Sequence, residues 1–307
     1  MAALTLFGTL ADGRGVQALK IRFGPYSAEL LDYGARLVGF WKSGGPNACV
    51  ESRDLDDYEG PLAYAGPVIA PVINRIGGAA AEIGGNWAAF EANQDGRQSL
   101  HSGQAGTYRK VWELVEQDEC AITLAVDLPH GEGGFPGNRR IEARYALGED
   151  GLELGLRVTT DRITILNPGH HGLWAPGGSA PPSSFQLTVP AARFLPVTAE
   201  TLPTGEIADV GGTVYDHRAP RSPDPSLDHN YCFEPGFGLR ARLEGREGDI
   251  LEVYSDAPGL QAFAGGQAGV ALEPQLWPDA PNHPKFPSIV LEPGQVFEQQ
   301  SLFKLLP

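Results

Sequence analysis

Cysteine is scarce in this chain, and its placement excludes two common uses. Cys49, Cys120 and Cys232 are odd in number, widely spaced and form no Cys-x-x-Cys pair. Neither a disulfide frame nor a thiolate zinc site is expected, and the three read as reduced, buried thiols. Positive charge is also short: Lys and Arg number 23 against 38 Asp and Glu, a net charge of -15. Such a surface repels phosphate backbones and anionic lipids, which argues against nucleic-acid and membrane partners. No apolar stretch approaches the length of a membrane span. The segment 1–15 lacks the basic start, apolar run and small-residue cleavage site of a secretory signal, so a cytoplasmic protein is expected. The seven histidines include no His-x-His or His-x-x-x-His spacing, and no nucleotide-binding spacing occurs. Neither a metal nor a cofactor is expected.

Helical periodicity is scarce too, and alternation of period two runs through the chain in its place. Leu19, Ile21 and Phe23 alternate with polar residues, as do Ile122, Leu124, Val126 and Leu128. Ile141, Ala143, Tyr145 and Leu147 follow the same rule, then Leu152, Leu154, Leu156 and Val158. The Glu149-Asp150-Gly151 turn between the last two runs reads as a hairpin. Only Arg53 to Tyr64 has a helical look. With 40 Gly and 26 Pro to make turns, the pattern predicts an all-β fold: a large antiparallel β-sandwich of two sheets packed face to face, with long functional loops. No linker, repeat or charge block divides residues 1–307, so a single domain is expected.

Several short segments stand out from this background: Leu31-Asp32-Tyr33-Gly34-Ala35-Arg36-Leu37, Asn74-Arg75-Ile76, Leu100-His101-Ser102-Gly103 and Gly134-Phe135-Pro136-Gly137. Further along come Leu202-Pro203-Thr204-Gly205-Glu206-Ile207, Asp228-His229-Asn230, Pro258-Gly259-Leu260-Gln261 and Leu272-Glu273-Pro274-Gln275. Pro278-Asp279-Ala280-Pro281-Asn282-His283 and Phe286-Pro287 complete the set. In this order they resemble the aldose 1-epimerase family over nearly the whole chain. Two departures accompany the resemblance. Ala70-Pro71 stands where the family usually has Gly-Arg. His170-His171-Gly172-Leu173-Trp174-Ala175 stands for its Asn-His-x-Tyr-Phe-Asn stretch, with His171 retained. The resemblance implies a galactose mutarotase-like supersandwich that exchanges the α and β anomers of a free monosaccharide, as a monomer or homodimer.

Anomer exchange opens a hemiacetal, turns the aldehyde about C1–C2 and closes the ring on the other face. One group must take the proton from the C1 hydroxyl while another gives one to the ring oxygen, and closure exchanges the roles. Glu273 is the candidate base. In the run from Gly269 to Gln275, Val270 and Leu272 share one strand face while Glu273 and Gln275 share the other. An apolar strand flanked by Gly and Pro would desolvate Glu273 and raise its pKa, although pattern alone also permits a solvated glutamate. His171 is the candidate acid, since imidazole needs little tuning to hold a proton near neutrality.

The resemblance further implies sugar-binding roles for Asn74, Arg75 and His101, a hydroxyl-accepting role for Asp228, and for Gln261 a contact to the substrate or to Glu273. Without it, Asp228 reads as a turn residue, Arg75 as half of a surface ion pair and each His as a structural one. Trp174, Trp277, Tyr231 and Phe135 lie beside the motifs as a possible sugar platform, with core packing the commoner fate. His170, His229 and His283 carry no assigned chemistry, and His130 and His217 read as loop residues.

Four rival functions remain open to the sequence. A metal-dependent sandwich enzyme is opposed by the His170-His171 adjacency, which points two rings to opposite strand faces. A glycosidase would use Asp228 and Glu273 at a spacing that only coordinates give. A sugar-binding module would have no use for a matched acid and base. A sugar-phosphate epimerase would call for clustered Arg or Lys, of which Arg75 alone can be placed.

Overall fold

The computed structural model describes residues 5–306. Antiparallel strands dominate, as the alternation predicts, and the hairpin at Glu149-Asp150 joins Arg139–Gly148 to Gly151–Thr160 with Gly148 facing Gly151. Inward positions of these two strands, including Ile141, Tyr145, Leu154 and Val158, are fully buried or nearly so. They form one face of an eight-stranded sheet that runs, edge to edge, Glu113–Gln117, Ala121–Leu128, Arg139–Gly148, Gly151–Thr160, Val296–Leu306, Ile250–Ser255, Gly238–Glu244 and Gln186–Thr188. The strand latest in sequence thus lies in the interior of the sheet.

Against this layer packs a second one built from two pieces. A four-stranded sheet comprises Thr5–Thr9, Gly15–Phe23, Tyr26–Leu31 and Arg36–Lys42. A six-stranded sheet runs Gly172–Trp174, Val270–Gln275, Gly259–Phe263, Asp228–Cys232, Arg193–Phe194 and Ala208–Asp209. The backbone of residues 48–50 stitches them together. Ala48 N–H donates to the Phe40 carbonyl (3.0 Å), Ala175 N–H to the Ala48 carbonyl (2.7 Å) and Val50 N–H to the Leu173 carbonyl (3.0 Å). One apolar cluster, with Phe40, Leu154, Trp174, Tyr231, Leu272 and Phe303 among its members, fills the space between the layers. Burial of such side chains is the main stabilising term of a sandwich.

Two local expectations need correction. The helix read over Arg53 to Tyr64 is only Leu55–Glu59, capped by the Asp54 side chain accepting from Asp56 N–H. Gly60 leaves the helical region, and Pro61 disfavours α conformation in the residue before it. The cysteines are free, but only Cys49 is buried; Cys120, in the turn after Glu113–Gln117, and Cys232 are half-buried. His217 lies outside any strand, as expected of a loop residue, yet it is wholly buried, its Nδ1 2.8 Å from the Tyr231 hydroxyl. Among the described residues no helix is long and apolar enough to cross a membrane.

Candidate active site

Register in the six-stranded sheet assembles the floor of a cleft. Gln261 faces both Glu273 on one neighbouring strand and Asn230 on the other. Gly172 faces Leu272, which sets His171, one residue earlier, beside Glu273. Because strand side chains alternate, Val270, Leu272, Leu260 and Tyr231 point into the core while His171, Glu273, Gln261 and Asp228 point the other way. There they line a cavity of about 560 Å³.

A short ribbon pairing Arg75–Ile76 with Ser99–Leu100 forms the opposing polar wall. Asn74 and His101 flank it with φ of 65° and 52°, a left-handed conformation that costs a β-carbon residue about 1–2 kcal/mol. Reciprocal bonds hold them there: His101 N–H donates to the Asn74 carbonyl (2.9 Å), and Asn74 N–H donates to His101 Nδ1 (3.0 Å). A ring nitrogen that accepts carries no proton, so the neutral imidazole bears its proton on Nε2. Burial and the neighbouring His171 and Arg75 push His101 well below the usual imidazole range, which keeps that donor form.

Arg75 is held from several sides. Its Nε donates to Gln94 Oε1 (2.9 Å), and the same oxygen accepts from Gln98 Nε2 (2.9 Å). Its Nη2 lies 3.4 Å from Asp228 Oδ2, while Asp228 Oδ1 accepts from Gln261 Nε2 at 2.5 Å. Asp279 braces the backbone, donating its N–H to the Arg75 carbonyl (3.1 Å) and accepting from Gly77 N–H through Oδ1 (2.8 Å). Asp228 is therefore a strand residue in a half-buried ion pair, not a turn former.

The electrostatic centre is the approach of His171 Nε2 to Glu273 Oε1, 3.4 Å. Glu273 is 2% exposed, and its second oxygen finds no hydrogen-bond donor among the described residues. Burial, then the charge of Asp228, drive this carboxyl well above its ordinary range, with Arg75 pulling the other way. Burial pushes His171 down to about 4, so the imidazole is far more tuned than its ordinary pKa suggests. The cause is the same dry environment that raises Glu273: each group resists its charged form, and the pair is poised to hold a single proton.

All seven residues singled out in the sequence, Asn74, Arg75, His101, His171, Asp228, Gln261 and Glu273, line this one cavity. The aromatic platform does not. Trp174, Tyr231 and Phe135 are fully buried and Trp277 nearly so, and none reaches the cleft. The aromatics that do are Tyr64 and Phe263. Tyr64 packs 4.6 Å from the His101 ring and 5.8 Å from that of His171, and no motif announced it. Gln94 and Gln98, which fix Arg75, also went unsignalled. Of the two motif departures, Ala70-Pro71 lies outside the lining and Leu173 within it. Among the described residues no group of three His, Cys, Asp or Glu is placed to hold a metal.

Galactose mutarotase of Mus musculus is 29% identical, with 98% of this chain and 97% of that protein aligned. Aldose 1-epimerase of Escherichia coli (strain K12) is 25% identical over 90% of this chain and 91% of its own length. Among solved structures, galactose 1-epimerase from Lactobacillus acidophilus superimposes with a TM-score of 0.87 at 22% identity, covering 100% of this chain and 98% of that one. The GalM/aldose epimerase homologue from C. elegans gives 0.88 at 21% identity, covering 95% and 99%. The sequence model of the family described as Aldose 1-epimerase matches residues 17–304, and the chain belongs to that family.

Proposed function

We propose that this protein interconverts the α and β anomers of a free aldose by general acid–base ring opening and closure at Glu273 and His171. The observation that carries the proposal is the 3.4 Å approach of the half-buried His171 to the buried Glu273, whose proton affinities desolvation drives in opposite senses. Burial that opposes the charge of both groups leaves one proton on the pair, and a reaction in which one group gives a proton while the other takes one starts from that condition.

The sugar presents O1 and O5, both bonded to C1, to the adjacent pair. In the state that carries the shared proton on His171, the Glu273 carboxylate takes the C1 hydroxyl proton while the His171 imidazolium protonates the ring oxygen. The C1–O5 bond breaks and C1 becomes an aldehyde. Rotation about C1–C2 presents the other face, and the same two transfers in reverse close the ring and restore both groups. His101 offers its Nε2 proton to an oxygen of the bound ring. Arg75, Asp228 and Gln261 form a ready-made hydroxyl clamp, since their mutual bonds fix them before the sugar arrives.

A free sugar fits better than a phosphate ester. Arg75 is the only Lys or Arg among the described residues lining the cavity, and Asp228 and Gln94 already engage it. The same reading has residues 1–307 working as one domain in the cytoplasm. The disulfide-free cysteines and the acidic net charge of -15 support a cytoplasmic setting without nucleic acid or membrane. Polarimetry on freshly dissolved α-anomers of several aldoses, without added metal or cofactor, tests the proposal. Accelerated mutarotation of at least one aldose is expected, and inertness toward all of them would sink it.

A further inference from the structure

The cleft is polar on only part of its lining. Along the cleft face of the sheet, His171, Glu273 and Gln261 form one transverse row. Two residues further along the strands, about 7 Å away, Leu173 faces Ala271 and Ala271 faces Phe263. This second row has no hydrogen-bonding side chain until Asp228, which faces Phe263 at its far end. Val50, Leu62 and Ala268 continue the apolar lining, with the exposed Gln267 beside Ala268. At about 560 Å³ the cavity falls in the range that surrounds a drug-sized ligand, so part of the apolar lining is in reach of a bound monosaccharide.

The roles assigned above orient the ring, and this inference rests on them. O1 lies at Glu273 and O5 at His171. Going round from C1 away from O5 leads to the C2 and C3 hydroxyls, on the side where Gln261, Asp228 and Arg75 stand. Going round from O5 away from C1 leads to C5 and its substituent, on the side of His171 and, two residues along the same chain segment, Leu173. We propose that the apolar lining around Leu173 is a subsite for the C5 substituent, and that the preferred substrates are aldopyranoses without a C6 hydroxyl: pentoses and 6-deoxyhexoses. A hydroxymethyl group placed against Leu173 and Ala271 would lose water without gaining a partner from either, and a phosphate or carboxylate would fare worse.

Three sugars isolate this contact, because D-galactose, D-fucose and L-arabinose share their ring hydroxyl configuration and differ at C5 in carrying CH2OH, CH3 and H. Mutarotation by the full chain, followed by polarimetry or saturation-transfer NMR, should give kcat/KM about tenfold higher for D-fucose than for D-galactose, with L-arabinose also ahead. An apolar pocket discriminates against an added hydroxyl by up to about 100-fold. Leu173→Gln, which places an amide in the subsite, should narrow the ratio by raising the D-galactose value. A ratio under threefold, or the reverse preference, overturns the subsite while leaving the epimerase reading intact. If none of the three turns over, the epimerase reading fails on these sugars. Calorimetric affinities for the same trio then decide the subsite, with equal affinities counting against it.

Discussion

On the inner face of the strand Val270–Gln275, Val270 and Leu272 are completely buried among apolar neighbours. On its outer face Glu273 is buried almost as deeply, yet one carboxylate oxygen has no partner among the described residues and the carboxyl resists ionisation. Adjacent residues show the same division in miniature. His170 points inward, its ring 5.4 Å from that of Phe303 and 5.8 Å from that of Trp174. His171 points outward to Glu273. Burial depresses both imidazoles, to about 3 and about 4. Desolvation of the same sign therefore has two outcomes. Inside it only narrows the pH range of the fold, whereas in the cleft a titratable neighbour turns it into a proton-transfer couple.

The sharpest way to break that comparison is to remove one member of the couple. Glu273→Gln keeps shape and polarity but cannot take a proton, and turnover should fall by about 10²–10⁴ with sugar affinity largely kept. His171→Asn should do comparable damage. Anomer exchange by saturation-transfer NMR and affinity by calorimetry measure the two quantities, and near-parental turnover in folded Glu273→Gln would place the base elsewhere.

Next in size comes the inner histidine, where the effect should be on stability. A His whose folded pKa lies below its unfolded value of 6.5 gives its full contribution above pH 6.5 and loses it as pH falls toward the folded value, here about 3. Between pH 6.5 and 5 the parent should lose about 2 kcal/mol through this group. His170→Phe should not. Urea unfolding at pH 7 and pH 5 would show the variant gaining that difference on the parent, with turnover within about threefold. An unchanged gap between the two proteins would contradict the assignment.

Asp228→Asn weakens the clamp and removes a charge that adds to the effect of burial on Glu273, while both members of the couple stay in place. A loss of about 1.4 kcal/mol, the scale of a charge-assisted hydrogen bond, should appear as roughly tenfold in KM with kcat less affected. Smallest is Gln94→Leu, which frees Arg75 Nε and should raise KM about fivefold, a loss of about 1 kcal/mol. Gln94→Glu, still an acceptor, should restore much of it. A pure fall in kcat in either protein would mean that the clamp acts on the chemistry rather than on binding.

What the sequence disclosed follows from where each signal lies. The period-two runs gave the strands because alternation is local, and the motifs gave the seven cleft residues because each sits inside a contiguous segment. The face assignment of Glu273 followed from counting along one strand. Tyr64 stayed hidden because Gly60-Pro61 breaks the segment that looked helical, and the loop beyond carries no pattern. Gln94 stayed hidden because its meaning lies in a bond to Arg75, nineteen positions away. The depressed pKa of His171 was out of reach for a related reason: desolvation is a property of everything packed around a group. The aromatic residues beside the motifs took the commoner fate: Trp174 and Tyr231 lie on the core face of their strands, and Phe135 and Trp277 pack in a smaller apolar cluster.

The position of Val296–Leu306 bears on how the molecule assembles. This strand pairs with Gly151–Thr160 on one side and Ile250–Ser255 on the other, joining segments far apart in sequence. Until it inserts, the eight-stranded sheet is two unjoined ribbons of four and three strands, each exposing an edge that invites intermolecular pairing. It also reaches across the sandwich. Gln299 Nε2 donates to the carbonyl of Pro274 (3.1 Å), the residue after Glu273, and Phe303 packs on Trp174 and His170. It acts as a keystone, so disrupting it would part the sheet in the middle instead of fraying a margin. A growing polypeptide displays every cleft residue before the piece that locks them in place has emerged, which makes the interval before closure the stage most exposed to misassembly.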